Sequence, residues 1–178
     1  MNRTLVSAAL LLLLSACFES SVPLGPPGAT ARSSSFVGTW RCTTPTMESN
    51  EIMTLTVLPF DEQQLLLELK ESTIVNGTEQ SSASDIARYR FYPSEIVDKV
   101  GAQILWNAQE LGLSATAHAW AFVRIKQTDK SKLVAQIVQD DALQGKTEPE
   151  KLSALRKRVR DEAIYGDAIS CKRVAQVN

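Results

Sequence analysis

The chain has 178 residues, 19 of them basic and 20 acidic, with a formal net charge of −1 and a hydrophobic content of 44%. This balance offers no basic surface for a phosphate backbone, which excludes nucleic acid as a partner, and no polybasic patch for anionic lipid. The length suits one domain with a real core, and three cysteines with one histidine leave little for metal or thiol chemistry.

In chain order the first feature is Arg3 followed by an apolar run from Leu5 to Leu14 that closes on Leu14-Ser15-Ala16-Cys17. The apolar stretch from Leu5 to Ala16 is about a dozen residues, where spanning a bilayer takes roughly 20, so a transmembrane helix is disfavoured. A charged start, a short apolar stretch and small residues before a cysteine resemble the lipobox of bacterial lipoproteins. The resemblance implies cleavage before Cys17 and acylation of Cys17, with palmitate-type chains anchoring the mature protein in the membrane. Two or more chains give stable anchoring, where one is marginal. No aspartate follows Cys17, so in a diderm the expected location is the outer membrane, with the domain in the periplasm. Residues 1–16 are then a signal peptide. Residues 17–35, which hold Pro23, Gly25, Pro26, Pro27 and Gly28, read as a flexible lipidated tether. Fully extended, it would reach roughly 50 Å at about 3.1 Å per residue.

Residues 36–178 read as a single β domain. Gly38 to Thr44 is rich in β-formers and stops at Pro45. Ile52 to Leu58 alternates, with Met53, Leu55 and Val57 on one face. After Phe60-Asp61-Glu62-Gln63, Leu65, Leu67 and Leu69 alternate again, which makes a hairpin. Ile74 to Ser84 reads as a polar loop with a turn at Asn76-Gly77. Ala87, Tyr89 and Phe91 alternate up to Pro93. Ile104, Trp106 and Ala108 form the next strand, then Ala119 to Lys126, a turn at Thr128-Asp129-Lys130-Ser131, and Leu133 to Ile137. One helix follows. Thr147 and Glu150 have the spacing of a capping box, Pro149 fits the first turn, and Leu152, Leu155, Val159 and Ala163 share a face. Gly166 is expected to end it. The basic run Arg156, Lys157, Arg158 and Arg160 reads as a solvated face near the helix C-terminus. Ala168 to Val174 is the last strand. The fold class is therefore mainly β: an antiparallel up-and-down meander or barrel, with one helix before the final strand.

With Cys17 acylated, Cys42 and Cys171 remain. In an oxidising periplasm they most simply form a disulfide, the other possibility being two separate buried thiols. The bond would join the first and last strands and bring the meander's ends together, as barrel closure requires. Gly38-x-Trp40 in the first strand, with Arg173 in the last, is similar to the lipocalin superfamily. That likeness implies a structural pair in which Arg173 stacks on Trp40 at the closed end of the barrel. Two features depart from the pattern: Thr128-Asp129 is followed by Lys130, and the helix precedes the last strand.

No catalytic constellation emerges, so the chain is expected not to be an enzyme and to need no cofactor or metal. His118 stands alone, and Asp140-Asp141 and Asp161-Glu162 read as solvated charges. Trp106, Trp120 and Phe122 lie in neighbouring strands among small alanines, and are the candidate lining of an apolar pocket. The bland reading of the same residues is a filled core. The leading expectation is an envelope lipoprotein that binds a small apolar ligand or a lipid. The other is a protein-interaction module, such as an inhibitor of an envelope enzyme or an assembly accessory.

Overall fold

The structure is a computed structural model and describes residues 17–27, 35–82, 86–112 and 119–174. Ten strands form one sheet: β1 (Glu19–Ser20), β2 (Gly38–Thr43), β3 (Glu51–Pro59), β4 (Leu65–Val75), β5 (Thr78–Gln80), β6 (Ile86–Asp98), β7 (Gly101–Glu110), β8 (Trp120–Asp129), β9 (Lys132–Ile137) and β10 (Ile169–Arg173). Eight of them close an antiparallel barrel in the order β8-β7-β6-β4-β3-β2-β10-β9, with β9 returning to β8. One helix, α1 (Glu148–Arg158), precedes the last strand. Closure leaves the eight wall strands with no long unpaired edge along the barrel.

Cys42 and Cys171 are direct cross-strand partners between β2 and β10 and form a disulfide. Their Cα atoms are 4.0 Å apart, nearer than in most disulfides. The bond closes a chain separation of 129 residues at the seam where the two ends of the barrel meet.

Several boundaries differ from the sequence reading. The stretch after Ile74 is not a loop. β4 runs on to Val75, and Asn76 (φ 52°) and Gly77 (φ 77°) make a two-residue turn into β5. Both central residues have positive φ, the conformation that hairpin turns need and that Asn-Gly supplies. Pro93 does not end its strand either, since β6 continues to Asp98. The Arg88 carbonyl accepts from the Leu111 N–H on the β7 side, so by alternation Pro93 turns its nitrogen the other way. There β4 has not yet begun, because Leu65 pairs with Phe91. No ladder bond is lost, which is how a proline is tolerated in a strand. The helix stops at Arg158, short of Gly166, because Asp161 caps a 3-10 turn over Glu162–Ile164 by accepting from the Ala163 N–H.

The largest correction concerns the expected tether. Residues 17–27 are docked on the barrel. β1 pairs with β8 through Glu19 with Ala121 and Ser20 with Trp120, just beyond the end of β9. Phe18 is 1% exposed, packed on Phe122 at 5.7 Å between ring centroids. The chain then crosses the outside of the barrel. The Leu24 N–H donates to Asn107 Oδ1 (2.9 Å), and the Gly25 carbonyl accepts from the Tyr92 hydroxyl (3.2 Å). Phe18 and Leu24 are large apolar groups, and their burial outweighs the chain freedom that glycine and proline suggested.

Two cores result. The outer one lies between the convex face of β6, β7 and β8 and a cover made of α1 and the docked N-terminal segment. It contains Phe18, Leu105, Trp120, Phe122, Leu155 and Ile164, among others. The inner one fills part of the barrel around Trp40, Phe91 and Trp106. The basic run of the helix is partly recruited to this cover. Arg156 donates to the Leu24 carbonyl (3.0 Å), Arg158 to the Ala142 carbonyl (2.6 Å), and Arg160 pairs with Asp98 at 2.8 Å.

Candidate functional site

Strand alternation decides what the barrel interior can do. Trp40 pairs with Leu55, Leu55 with Leu69, and Leu67 with Tyr89; Phe91 pairs with Ala108, and Trp106 with Val123. These residues share the inward face, since side chains along a strand point alternately to opposite sides.

One end of the barrel is plugged. Trp106 stacks on Phe91 at 4.6 Å, and Phe36 meets its edge at 5.2 Å. The Trp40 indole is fully buried, and its N–H donates to the Phe36 carbonyl (2.9 Å). The Arg173 guanidinium lies over the Trp40 ring, 4.3 Å from its centroid. It also donates to the carbonyls of Val37 (2.9 Å), Lys130 (3.0 Å) and Ser35. The pair therefore ties the first and last strands and the β8–β9 turn into one closed floor.

Above the floor, Leu55, Leu67, Leu69, Tyr89, Val123 and Ile125 point inward and are partly buried, packed against a cluster in which Met53, Val57, Leu133 and the Cys42–Cys171 pair are buried along with Trp40, Phe91 and Trp106. This apolar inward face above its aromatic floor is called the cup below. Eight strands enclose a space that side chains can fill or that can hold one small ligand.

The mouth of the cup is acidic. Glu71 follows Leu69 on the inward face of β4, Glu110 follows Ala108 on β7, and Glu19 pairs with the inward Ala121. Tyr89 stands beneath them. Its hydroxyl is pushed up to about 12, first by burial and then by the charge of Glu110, with Glu71 and Glu19 adding to it. Cys17 opens β1 at this end, bridging to Gln139, and is buried. Burial, with Glu19 beside it, raises its thiol to about 11, so it stays protonated at neutral pH.

The three aromatic residues singled out from sequence are not one site. Trp106 belongs to the floor of the cup, but Trp120 and Phe122 point outward into the core beneath α1, with Tyr92 against Trp120 at 5.4 Å and Arg90 above its ring. They were grouped by neighbouring strands, but a one-residue difference in phase places a side chain on the opposite face. The cup residues that sequence reasoning missed are Leu55, Leu67, Leu69 and Tyr89, with Glu19, Glu71 and Glu110 at the rim. The signal was in the phase: each strand glutamate continues the apolar alternation that starts from its inward neighbours. His118 lies outside the described residues.

Among the described residues, no group of three or more His, Cys, Asp or Glu side chains is placed to hold a metal ion. Buried polar groups elsewhere serve structure. Asn107, fully buried on the outer face, donates to the Tyr92 carbonyl (3.2 Å) and to Ser94 Oγ (2.8 Å) while accepting from Leu24. Arg124 lies 3.8 Å from the Tyr165 ring centroid and pairs with Glu162, holding that carboxylate below its ordinary value. No helix among the described residues is long and apolar enough to cross a membrane. No protein-family model matches the chain, and no curated protein or solved structure matches it.

Proposed function

We propose that the protein is a non-enzymatic lipoprotein of the bacterial envelope, anchored through Cys17, whose barrel holds a small apolar ligand or lipid. One observation carries the ligand reading: inward Leu55, Leu67, Leu69, Val123 and Ile125 keep solvent contact above a floor that is packed shut. Apolar surface left open to water inside a rigid closed wall is surface that a ligand gains free energy by covering, at roughly 25 cal/mol per Å². The anchor reading rests on the lipobox-like Leu14-Ser15-Ala16-Cys17. Because residues 17–27 are docked, an anchor at Cys17 holds the mouth of the cup close to the bilayer and not at the end of a long tether.

The test is titration of the unacylated full chain, carrying Cys17→Ser, with decanol while tryptophan emission is followed. Saturable binding is expected. It should survive Trp120→Phe, which alters only the outer core, and disappear in Ala135→Trp, which fills the cup from β9. An absence of saturable binding, or binding that Ala135→Trp leaves intact, would overturn the reading. The anchor is tested separately: Cys17→Ala should be released from the membrane or accumulate as uncleaved precursor.

A protein-interaction role has its own observation. β6 and β7 project past their neighbours as a two-stranded ribbon whose Val97, Val100 and Ile104 are 74%, 78% and 50% exposed. Apolar tips of this kind suit a protein contact. A decanol-blind barrel whose ribbon variants lose a binding partner would favour this second reading.

A further inference from the structure

We infer that the protein captures an extended, acidic peptide segment of a partner protein, which adds as a strand to the open edge of β6 in the groove between β6 and α1. The inference rests on the second reading above and names the partner that the ribbon takes.

The edge follows from register. The Arg88 carbonyl accepts from the Leu111 N–H on the β7 side, so alternation turns the backbone polar groups of Phe91, Pro93, Glu95 and Val97 away from β7. At Phe91 they meet β4, whose first residue, Leu65, is its partner. Past that point β6 pairs with β7 alone, as far as Asp98. Pro93 has no N–H to offer. Glu95 and Val97 each turn an N–H and a carbonyl outward with no strand beside them among the described residues. An exposed row of this kind is a template for a further strand.

A groove of about 390 Å³ lies along that edge. Glu95 to Lys99, five consecutive residues, form one side; Leu24 of the docked segment, with Arg156 and Lys157 of α1, forms the other. None of its lining comes from β7, so the groove is on the side of β6 that the open backbone groups face. At roughly 3.3 Å per residue, about five residues of a partner strand would run its length.

Charge sets the class of peptide. Asp98 is already committed: it accepts from the N–H groups of Val100 (2.7 Å) and Gly101 (3.0 Å) and pairs with Arg160 at 2.8 Å. Lys99, Arg156 and Lys157 then stand against Glu95 alone, and none of the three forms an ion pair among the described residues. Ile96 faces the outer core beneath α1, and Val97, 74% exposed, faces the other way. Residues of an added strand would therefore meet two different surroundings in turn. On the α1 side, carboxylates would gain charge-assisted contacts with Arg156 and Lys157. On the other, a β-branched residue would bury apolar surface beside Val97. An alternating acidic and apolar strand fits both faces. A second copy of β6 fits less well, because it would bring the same surplus of cations against itself.

The experiment titrates the full chain carrying Cys17→Ser with three acetylated, amidated pentapeptides at low salt, followed through backbone amide resonances. One alternates glutamate with valine, one alternates lysine with valine, and the third is the acidic peptide with its backbone nitrogens methylated. The acidic peptide is expected to bind about tenfold more tightly than the basic one and to slow hydrogen exchange at Glu95 and Val97. Methylation should abolish binding, since a methylated nitrogen cannot donate into a ladder. Lys99→Glu/Lys157→Glu, at two exposed positions, should reverse the preference. Equal binding of acidic and basic peptides, undiminished binding of the methylated one, or protection at other strands and not at Glu95 and Val97 would overturn the inference. So would an absence of saturable binding, or a concentration-dependent doubling of mass that excludes the peptide, which would make the occupant a second copy. The second reading fails separately, if Val97→Lys/Val100→Lys leaves the binding of a protein partner unchanged.

Discussion

The outer and inner faces of β6, β7 and β8 are built from the same strands and finished in opposite ways. Outside, Leu105, Phe122, Leu155 and Ile164 are at or near zero exposure, and the one buried amide, Asn107, has its hydrogen bonds made. Inside, Trp40, Cys42, Cys171 and Leu133 are as deeply buried, while Leu55, Leu67 and Leu69 remain part-exposed. The helix and the N-terminal segment therefore do not cap the barrel. They stabilise its wall from outside. The outer core is where stability is expected to reside, and the inner face is where the proposed binding is to be tested.

The sharpest way to break that comparison is a matched pair of truncations. Phe122→Ala should cost about 3–5 kcal/mol in urea denaturation, as emptying a fully packed aromatic site does. Leu67→Ala, on the wall of the cup, should cost about 1 kcal/mol, because the side chain is already part-hydrated and leaves no sealed cavity. Equal costs would mean that the interior is packed as tightly as the exterior. Next in size, replacing both Cys42 and Cys171 with alanine should cost about 2–5 kcal/mol, since the bond closes a loop of 129 residues in the unfolded chain. The same result should follow from adding reductant to the unsubstituted protein, and a melting point insensitive to reductant would rule the contribution out.

Much of the wall was legible because it rests on period-two alternation, a signal that survives in a single sequence. Met53, Leu55 and Val57 did share a face, as did Leu65, Leu67 and Leu69. The ends were legible too: Cys42 and Cys171 most simply pair with each other, a family likeness implied the stack of Arg173 on Trp40, and both fit the observed pairing of β2 with β10. Which face of a strand turned inward was not legible for β8. Trp120 and Phe122 on one side and Ala121, Val123 and Ile125 on the other are both apolar, because β8 packs against apolar groups on both faces. Alternation then marks a strand without orienting it. The docking of residues 17–27 was hidden for a different reason. Glycine and proline set local chain stiffness, whereas Phe18 and Leu24 found partners on β7, β8 and α1 that lie far along the sequence.

The docked segment is the part of the outer core most open to adjustment, so Asn107→Ala should sharpen the comparison at intermediate cost. It removes the acceptor for the Leu24 N–H and the donors to Tyr92 and Ser94. Leaving buried partners unmet costs about 1–3 kcal/mol. Local loss should exceed global loss: hydrogen exchange at Leu24 should quicken well before that in β7 or β8. Uniform quickening through the barrel would instead make Asn107 part of one indivisible core.

The smallest effect expected is a pH step confined to the same segment. The Glu148 carboxylate, in the first turn of α1, accepts from Ser20 Oγ (2.8 Å), the Ser21 N–H (3.0 Å) and Ser21 Oγ (2.9 Å). Those bonds, with the positive end of the helix dipole, hold it below its ordinary value of 4.5. A depressed folded value means that the unfolded chain takes up the proton first. The clamp therefore contributes in full above the ordinary carboxylate range and is lost as pH falls through the lowered value. The Ser21 amide resonance should titrate with a midpoint under 4.5, the step should vanish in Glu148→Gln, and resonances of the cup residues Leu67 and Val123 should not follow it. A midpoint at or above 4.5 would mean that the carboxylate does not hold the segment. A step shared by the cup would mean that the outer and inner faces respond as one.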